Sequence, residues 1–221
     1  MNAVALLLAD SRFPAGGYAH SLGLEQAVSD GLRVDGVPSF IAARLRLVAR
    51  ADAALSVAAR RAAAAGDDDE LALLDDEHAA RCPSPVLRTT ARRLGAQLLR
   101  SAAIAWPSAA IDRYRALSAT TPRPVALGVV GVAAGICDTE VATIALYDDA
   151  ATVASAALKL LGLDPADAAR WVADLGPEID AVARAVVRDE RPIAEQPPPA
   201  AVGLELAASV HAARAERFFA S

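Results

Sequence analysis

At 221 residues the chain is long enough to bury a sizeable core, and 54% of it is hydrophobic while only 4% is aromatic. Much of that apolar share is alanine, the strongest helix former, whereas a sheet protein would draw on more Val, Ile, Tyr and Phe; the composition predicts an all-α fold. A formal net charge of −5 removes the electrostatic drive for holding a phosphate backbone and argues against a nucleic-acid partner.

Residues 6–28 (LLLADSRFPAGGYAHSLGLEQAV) predict a short helix, a sharp turn at Pro14, Gly16 and Gly17, and a second helix starting near Ser21 and stopping at Gly31. Tyr18, His20, Ser21 and Glu25 form a polar-aromatic cluster just after the turn. His20 and Ser21 beside Glu25 could suggest a nucleophile with its base. Adjacent residues at a helix start diverge by roughly a third of a turn, however, and no glycine-flanked nucleophile elbow is present. A Ser21-dependent hydrolase is therefore the disfavoured alternative, and no enzymatic activity is expected.

Pro38 predicts the first turn of a long helix ending at Gly66, with Ile41, Leu45, Val48 and Leu55 at helical spacing. Asp52 falls on the same stripe, either as a polar contact or where the face turns to solvent. The acidic run 67–70 reads as a helix cap, because a calcium loop needs a ligand spacing and a glycine that are missing. Pro83 and Pro85 break the chain before a helix over 86–105, whose apolar stripe is Leu87, Ala91, Leu94 and Leu98; Arg88, Arg92, Arg93 and Arg100 lie elsewhere on the cylinder. Trp106-Pro107 closes it.

Residues 122–136 (PRPVALGVVGVAAGI) fit no nucleotide-binding loop. Gly128, Gly131 and Gly135 instead share one helix face and predict close helix packing, within one subunit or between two. Asp138 is expected to cap the next helix, which continues with breaks toward Leu161. Asp164-Pro165 starts another, with Ala168, Trp171, Val172 and Leu175 on one face; beyond Gly176-Pro177 the pattern resumes at Ile179, Val182, Ala183 and Val186. Residues 191–200 read as an extended proline-rich connector without internal hydrogen bonds. Val202, Leu206, Val210 and Ala213 then suggest a short amphipathic helix. The expected organisation is a bundle domain of roughly eight to ten helices over 1–190, a linker at 191–201 and a tail at 202–221.

Cys82 and Cys137 are expected to be two buried, reduced thiols. His20, His78 and His211 are dispersed and form no metal-ligand pair, although His20 and His211 would converge if the tail helix packs back on the opening stretch. The N-terminal apolar run ends at Asp10 without a basic flank, and the most apolar stretch, 125–137, is too short to span a bilayer. A soluble, cytoplasmic protein is expected.

The opening stretch resembles the first motif of the urease accessory protein UreF family, LxDSxxPxGxxxHSxGLE, through Asp10, Ser11, Pro14, Gly16, His20, Ser21, Gly23, Leu24 and Glu25. Gly95, Leu98, Leu99 and Arg100 resemble its second motif, and residues 122–136 its glycine-rich third. The end, His211 with Arg217, Phe218 and Phe219, is similar to the family's terminus, with Phe218 in place of a leucine. Residues 158–168 (LKLLGLDPADA) depart from the glutamine-containing run of many members and look like an actinobacterial variant.

This resemblance implies an all-α homodimer without chemistry of its own. It would join UreD (UreH in some species) and the GTPase UreG in a complex that brings nickel into the urease apoprotein, with no tightly bound cofactor and nickel handled by the complex. It also implies partner-binding roles for Tyr18, His20, Ser21, Glu25, Arg217, Phe218 and Phe219. A Tyr18–Arg217 contact would tie the tail to the motif, and the tail would be loose until a partner orders it. His20 and His211 would be transient nickel contacts at most. A diverged scaffold serving another metalloenzyme is the remaining alternative.

Overall fold

The computed structural model describes residues 3–10, 12–16, 20–118, 121–199, 201–213 and 218–219, and the regular elements among them are all helical. In chain order they are α1 (Ala3–Ala9), α2 (Leu24–Ser29), α3 (Val37–Arg44), α4 (Arg50–Ala65), α5 (Asp68–Arg81), α6 (Pro85–Ala105), α7 (Ala109–Leu117), α8 (Arg123–Ala133), α9 (Asp138–Leu161), α10 (Pro165–Asp174), α11 (Gly176–Arg188) and α12 (Val202–Ala212). The all-α expectation holds. A π-turn at Leu45–Ala49 joins α3 to α4, and Gly66, with φ 75°, stops the run in the left-handed conformation that glycine accepts. Ile41, Leu45 and Leu55 face the core as their spacing predicts.

Two helices form the centre. α8 is packed by α4, α6 and α7, and α9 by α3, α4, α10 and α11. Val125, Leu127, Val129 and Val130 of α8 and Val141, Ile144, Leu146 and Val153 of α9 are buried. α9 is one unbroken helix of 24 residues, so the breaks expected before Leu161 do not occur. Its length and composition would suffice to cross a membrane, but most of it is buried inside the protein, so neighbouring helices cover its apolar surface. Its alanines form a continuous helix that others can approach closely.

The glycine stripe is only partly a packing face. A Cβ on Gly128 would collide with the Ser56 carbonyl oxygen and lie 2.6 Å from the Arg60 amide nitrogen, so α8 and α4 touch backbone to backbone within one chain. A Cβ on Gly131 would lie 2.6 Å from Val141 Cγ2 of α9. Gly135 packs against nothing: it follows α8 with φ 67° and turns the chain toward α9. The regular i, i+3, i+7 spacing concealed this, because α8 ends first.

Local caps follow the sequence closely. Asp67 accepts the Glu70 amide (2.9 Å), Ser84 the Leu87 amide (3.4 Å) and Asp164 the Ala166 amide (2.8 Å). Asp67→Ala is expected to cost about 1 kcal/mol, read as a lower denaturation midpoint at unchanged m. Asp138 is not the cap expected of it. Cys137 holds that position, its amide donating to Glu140 Oε2 (3.0 Å), while the Asp138 carboxylate receives Arg60 and Arg61 of α4, both at 2.7 Å. Nor are the thiols both buried: Cys137 is exposed and Cys82 half-buried, and both are free.

The connector also differs from expectation. Ile193–Glu195 form a 3-10 turn, Ile193 is buried, and the Arg81 guanidinium donates to the Ile193 and Gln196 carbonyls. One apolar anchor and one arginine are enough to hold a segment that its prolines would leave extended.

Candidate functional site

The opening turn is fixed to α6. Phe13 stacks on Trp106 with ring centroids 5.4 Å apart, and the Pro14 carbonyl accepts Ser101 Oγ (2.8 Å) and Gln97 Nε2 (3.3 Å). A second bend follows at Leu22 (φ 51°) and Gly23 (φ 89°). A leucine in the left-handed region costs roughly 1–2 kcal/mol and persists only when its surroundings hold it. Arg44 supplies that hold. Its Nη1 donates to the Leu22 carbonyl (2.9 Å) while Nε and Nη2 clasp Asp149 (3.0 and 2.5 Å) in a pair only 7% and 10% exposed.

The bend delivers Glu25 to the interior. Ser21 Oγ accepts the Glu25 amide (3.4 Å), and the Glu25 side chain, 7% exposed, receives three donors from the far end of the chain. Oε1 accepts the Phe218 amide (2.8 Å); Oε2 accepts the Phe219 amide (3.1 Å) and His211 Nε2 (2.8 Å). An ionised carboxylate can only accept, so His211 carries its proton on Nε2 here. Burial pushes the Glu25 carboxyl up, but the two amides and His211 outweigh it and hold the carboxyl below its ordinary value.

Around this clasp, α12 lies on α2 and α6. Glu205 accepts the Ser84 amide (2.7 Å), and the buried Phe219 ring sits under the Lys159 ammonium, 5.1 Å from the ring centroid. Ala208 and His211 form the inward side of α12. Val202, Leu206 and Val210, read from sequence as its apolar stripe, face outward at 79%, 65% and 47% exposure, beside Phe218 at 85%. The helix is apolar on both sides, and its outer side leaves a hydrophobic strip uncovered.

The structure thus brings the two ends together but turns several predicted contact residues inward. His20, Ser21 and Glu25 are 4%, 3% and 6% exposed, so in this conformation they shape the surface from beneath. Of the terminal aromatics, Phe219 is docked within the chain and Phe218 projects. Tyr18 and Arg217, and the contact expected between them, lie outside the described residues. Ser21 Oγ faces a backbone amide and His20 Nε2 faces Arg93 Nη2 (3.0 Å), contacts that do not pair the Ser21 hydroxyl with a general base.

His20 and His211 do converge, on the wall of a cavity of about 200 Å³ beneath α12. Both Nε2 atoms are already engaged, and the described residues hold no group of three His, Cys, Asp or Glu side chains suited to a metal ion. In the same wall, burial and the nearby Arg92 and Arg88 push His78 down to about 4, while burial, aided by Glu205, pushes the Cys82 thiol up to about 12. That thiol is inert at neutral pH. Sequence reasoning missed Arg44–Asp149, Glu205–Ser84 and Lys159–Phe219, although Lys159 stood out as the only lysine among the chain's basic residues.

The described residues form an all-helical body whose tail is clasped to its opening motif, and the comparisons with known proteins show its class, the urease accessory proteins. Residues 33–176 match the UreF family model. The chain is 33% identical over 218 residues to the urease accessory protein UreF of Mycobacterium sp. (strain JLS), covering 98% of this chain and 97% of that one. It is 36% identical over 212 residues to the UreF protein of Mycolicibacterium vanbaalenii, covering 86% and 97% respectively, and 36% identical over 169 residues to that of Mycobacterium marinum, covering 76% of each. The chain belongs to the UreF family of urease accessory proteins, which are maturation factors and not enzymes.

Proposed function

We propose that this protein is the adaptor of a urease maturation complex, bridging UreD (or UreH) and the GTPase UreG so that nickel enters the urease apoprotein. GTP hydrolysis belongs to UreG, and nickel is cargo of the complex, not a resident of this chain. The adaptor works as a homodimer in the cytoplasm.

The observation that supports this reading is the Glu25 clasp, which sets α12 and Phe218 beside the opening motif with Val202, Leu206 and Val210 uncovered. Such a strip suits burial against UreD, the partner for which Tyr18 and Arg217 are also proposed as contacts. Leu206→Asp tests it. The side chain is exposed, so stability should change by no more than about 0.5 kcal/mol. Co-purification with UreD should fall at least about tenfold, and nickel-dependent urease activation in a reconstituted mixture should fall with it. Wild-type complex yield from this variant would remove the strip from the interface.

A further inference from the structure

The cavity beneath α12 contains a carboxylate that the clasp does not use. Asp52, on the inward stripe of α4, lines the cavity wall, and its carboxylate has no hydrogen-bond partner among the described residues. The nearby cations are already committed, Arg44 to Asp149 and Arg123 to Asp148 (2.7 Å). Each of these pairs is neutral, so an ionised Asp52 stands uncompensated. Burial accordingly lifts its carboxyl to about 7, with Asp149 adding to the effect and Arg44 and Arg123 opposing it. The remaining wall is largely aliphatic, including Leu55, Leu87, Leu94, Pro124 and Leu204.

We propose that this cavity is a binding site for a small organic monocation, an ammonium or amidinium group on an apolar body about the size of benzene, with its charged head on the Asp52 carboxylate. The size follows from the volume, since an aliphatic cavity of about 150 Å³ accepts benzene. The sign follows from Asp52, because Asp148 and Asp149 are already neutralised by Arg123 and Arg44 while Asp52 has no cation paired to it. A divalent metal ion would demand several donors, and no group of three suitable side chains is present among the described residues. A neutral apolar guest would leave the Asp52 carboxylate without a partner, whereas a cationic head supplies one. The inference is independent of the adaptor reading.

The test is calorimetric titration of the full-length protein with benzylamine at about pH 8, where Asp52 is mostly ionised. Benzyl alcohol serves as the uncharged counterpart, and Asp52→Asn as the variant. Wild type should bind benzylamine at least about tenfold more tightly than benzyl alcohol, and Asp52→Asn should lose that preference. Leu204→Trp, which fills the cavity from α12 with Asp52 intact, should block binding and serves if Asp52→Asn does not fold. No benzylamine binding to wild type, equal binding of both compounds, or a preference that survives Asp52→Asn or Leu204→Trp would overturn the proposal.

Discussion

Glu25→Ala should release the C-terminal tail and lower the stability of the protein by about 3 kcal/mol, the scale for removing one partner of a buried, charge-assisted network. The substitution strips the acceptor from His211 Nε2 and from the Phe218 and Phe219 amides at once. Phe219 then loses the anchor that keeps its ring beneath Lys159. Glu25→Gln should release the tail nearly as well, because a side-chain amide can offer its oxygen to only one side of the site and turns its NH₂ toward donors on the other. Urea unfolding reads the stability. Hydrogen exchange across α12 and residues 218–219 reads the release, as faster exchange there while α8 and α9 stay protected.

The clasp has a pH dependence of determined sign. The Glu25 carboxyl is held below its ordinary value of 4.5 in the folded chain. A group with a depressed folded pKa contributes stability that is fully present above the unfolded value and is lost as pH falls through the folded one. Tail docking should therefore be constant, as far as Glu25 governs it, from neutral pH down to the usual glutamate range. It should fail only in stronger acid, where protonation removes the acceptor.

Gly128→Val should be the most damaging single change in the body of the fold. A Cβ there already overlaps the Ser56 carbonyl and crowds the Arg60 amide, and backbone cannot rotate aside as a side-chain end can. Two further methyl groups would force α8 away from α4, across the broadest helix contact in the protein. Overpacking of this kind costs about 3 kcal/mol or more, which for a chain of this size lowers Tm by roughly 6–12 °C. Gly135→Ala is the control, since that position meets nothing and pays only for a left-handed φ, about 1 kcal/mol. Thermal melts of the two variants should separate clearly, although the sequence gives both glycines the same apparent face.

That contrast shows what was legible in the sequence. Caps and breakers act over three or four residues, so Asp67, Pro85, Asp164-Pro165 and Gly66 could be read directly, and helical spacing placed Ile41, Leu55, Leu98 and Ile179 in the core. Contacts between distant segments left no such mark. Glu25 could be singled out from its motif, but its partner His211 lies 186 residues away, and nothing in either local pattern shows that the two meet. The same limit hid the Arg44–Asp149 pair and reversed the faces of α12, where apolar residues occupy both sides and spacing cannot tell inward from outward. Asp52 did carry a signal, a charged residue on an apolar stripe, but only the packed structure reveals that it lines a cavity beneath α12.

In the proposed adaptor, one buried carboxylate joins the two ends of the chain into a single partner-binding surface. The affinity of UreD for the Glu25→Ala variant, measured beside wild type with the helical core verified as folded, tests this most directly. Binding at least about tenfold weaker is the predicted result; wild-type affinity from a variant whose tail has been released would contradict it.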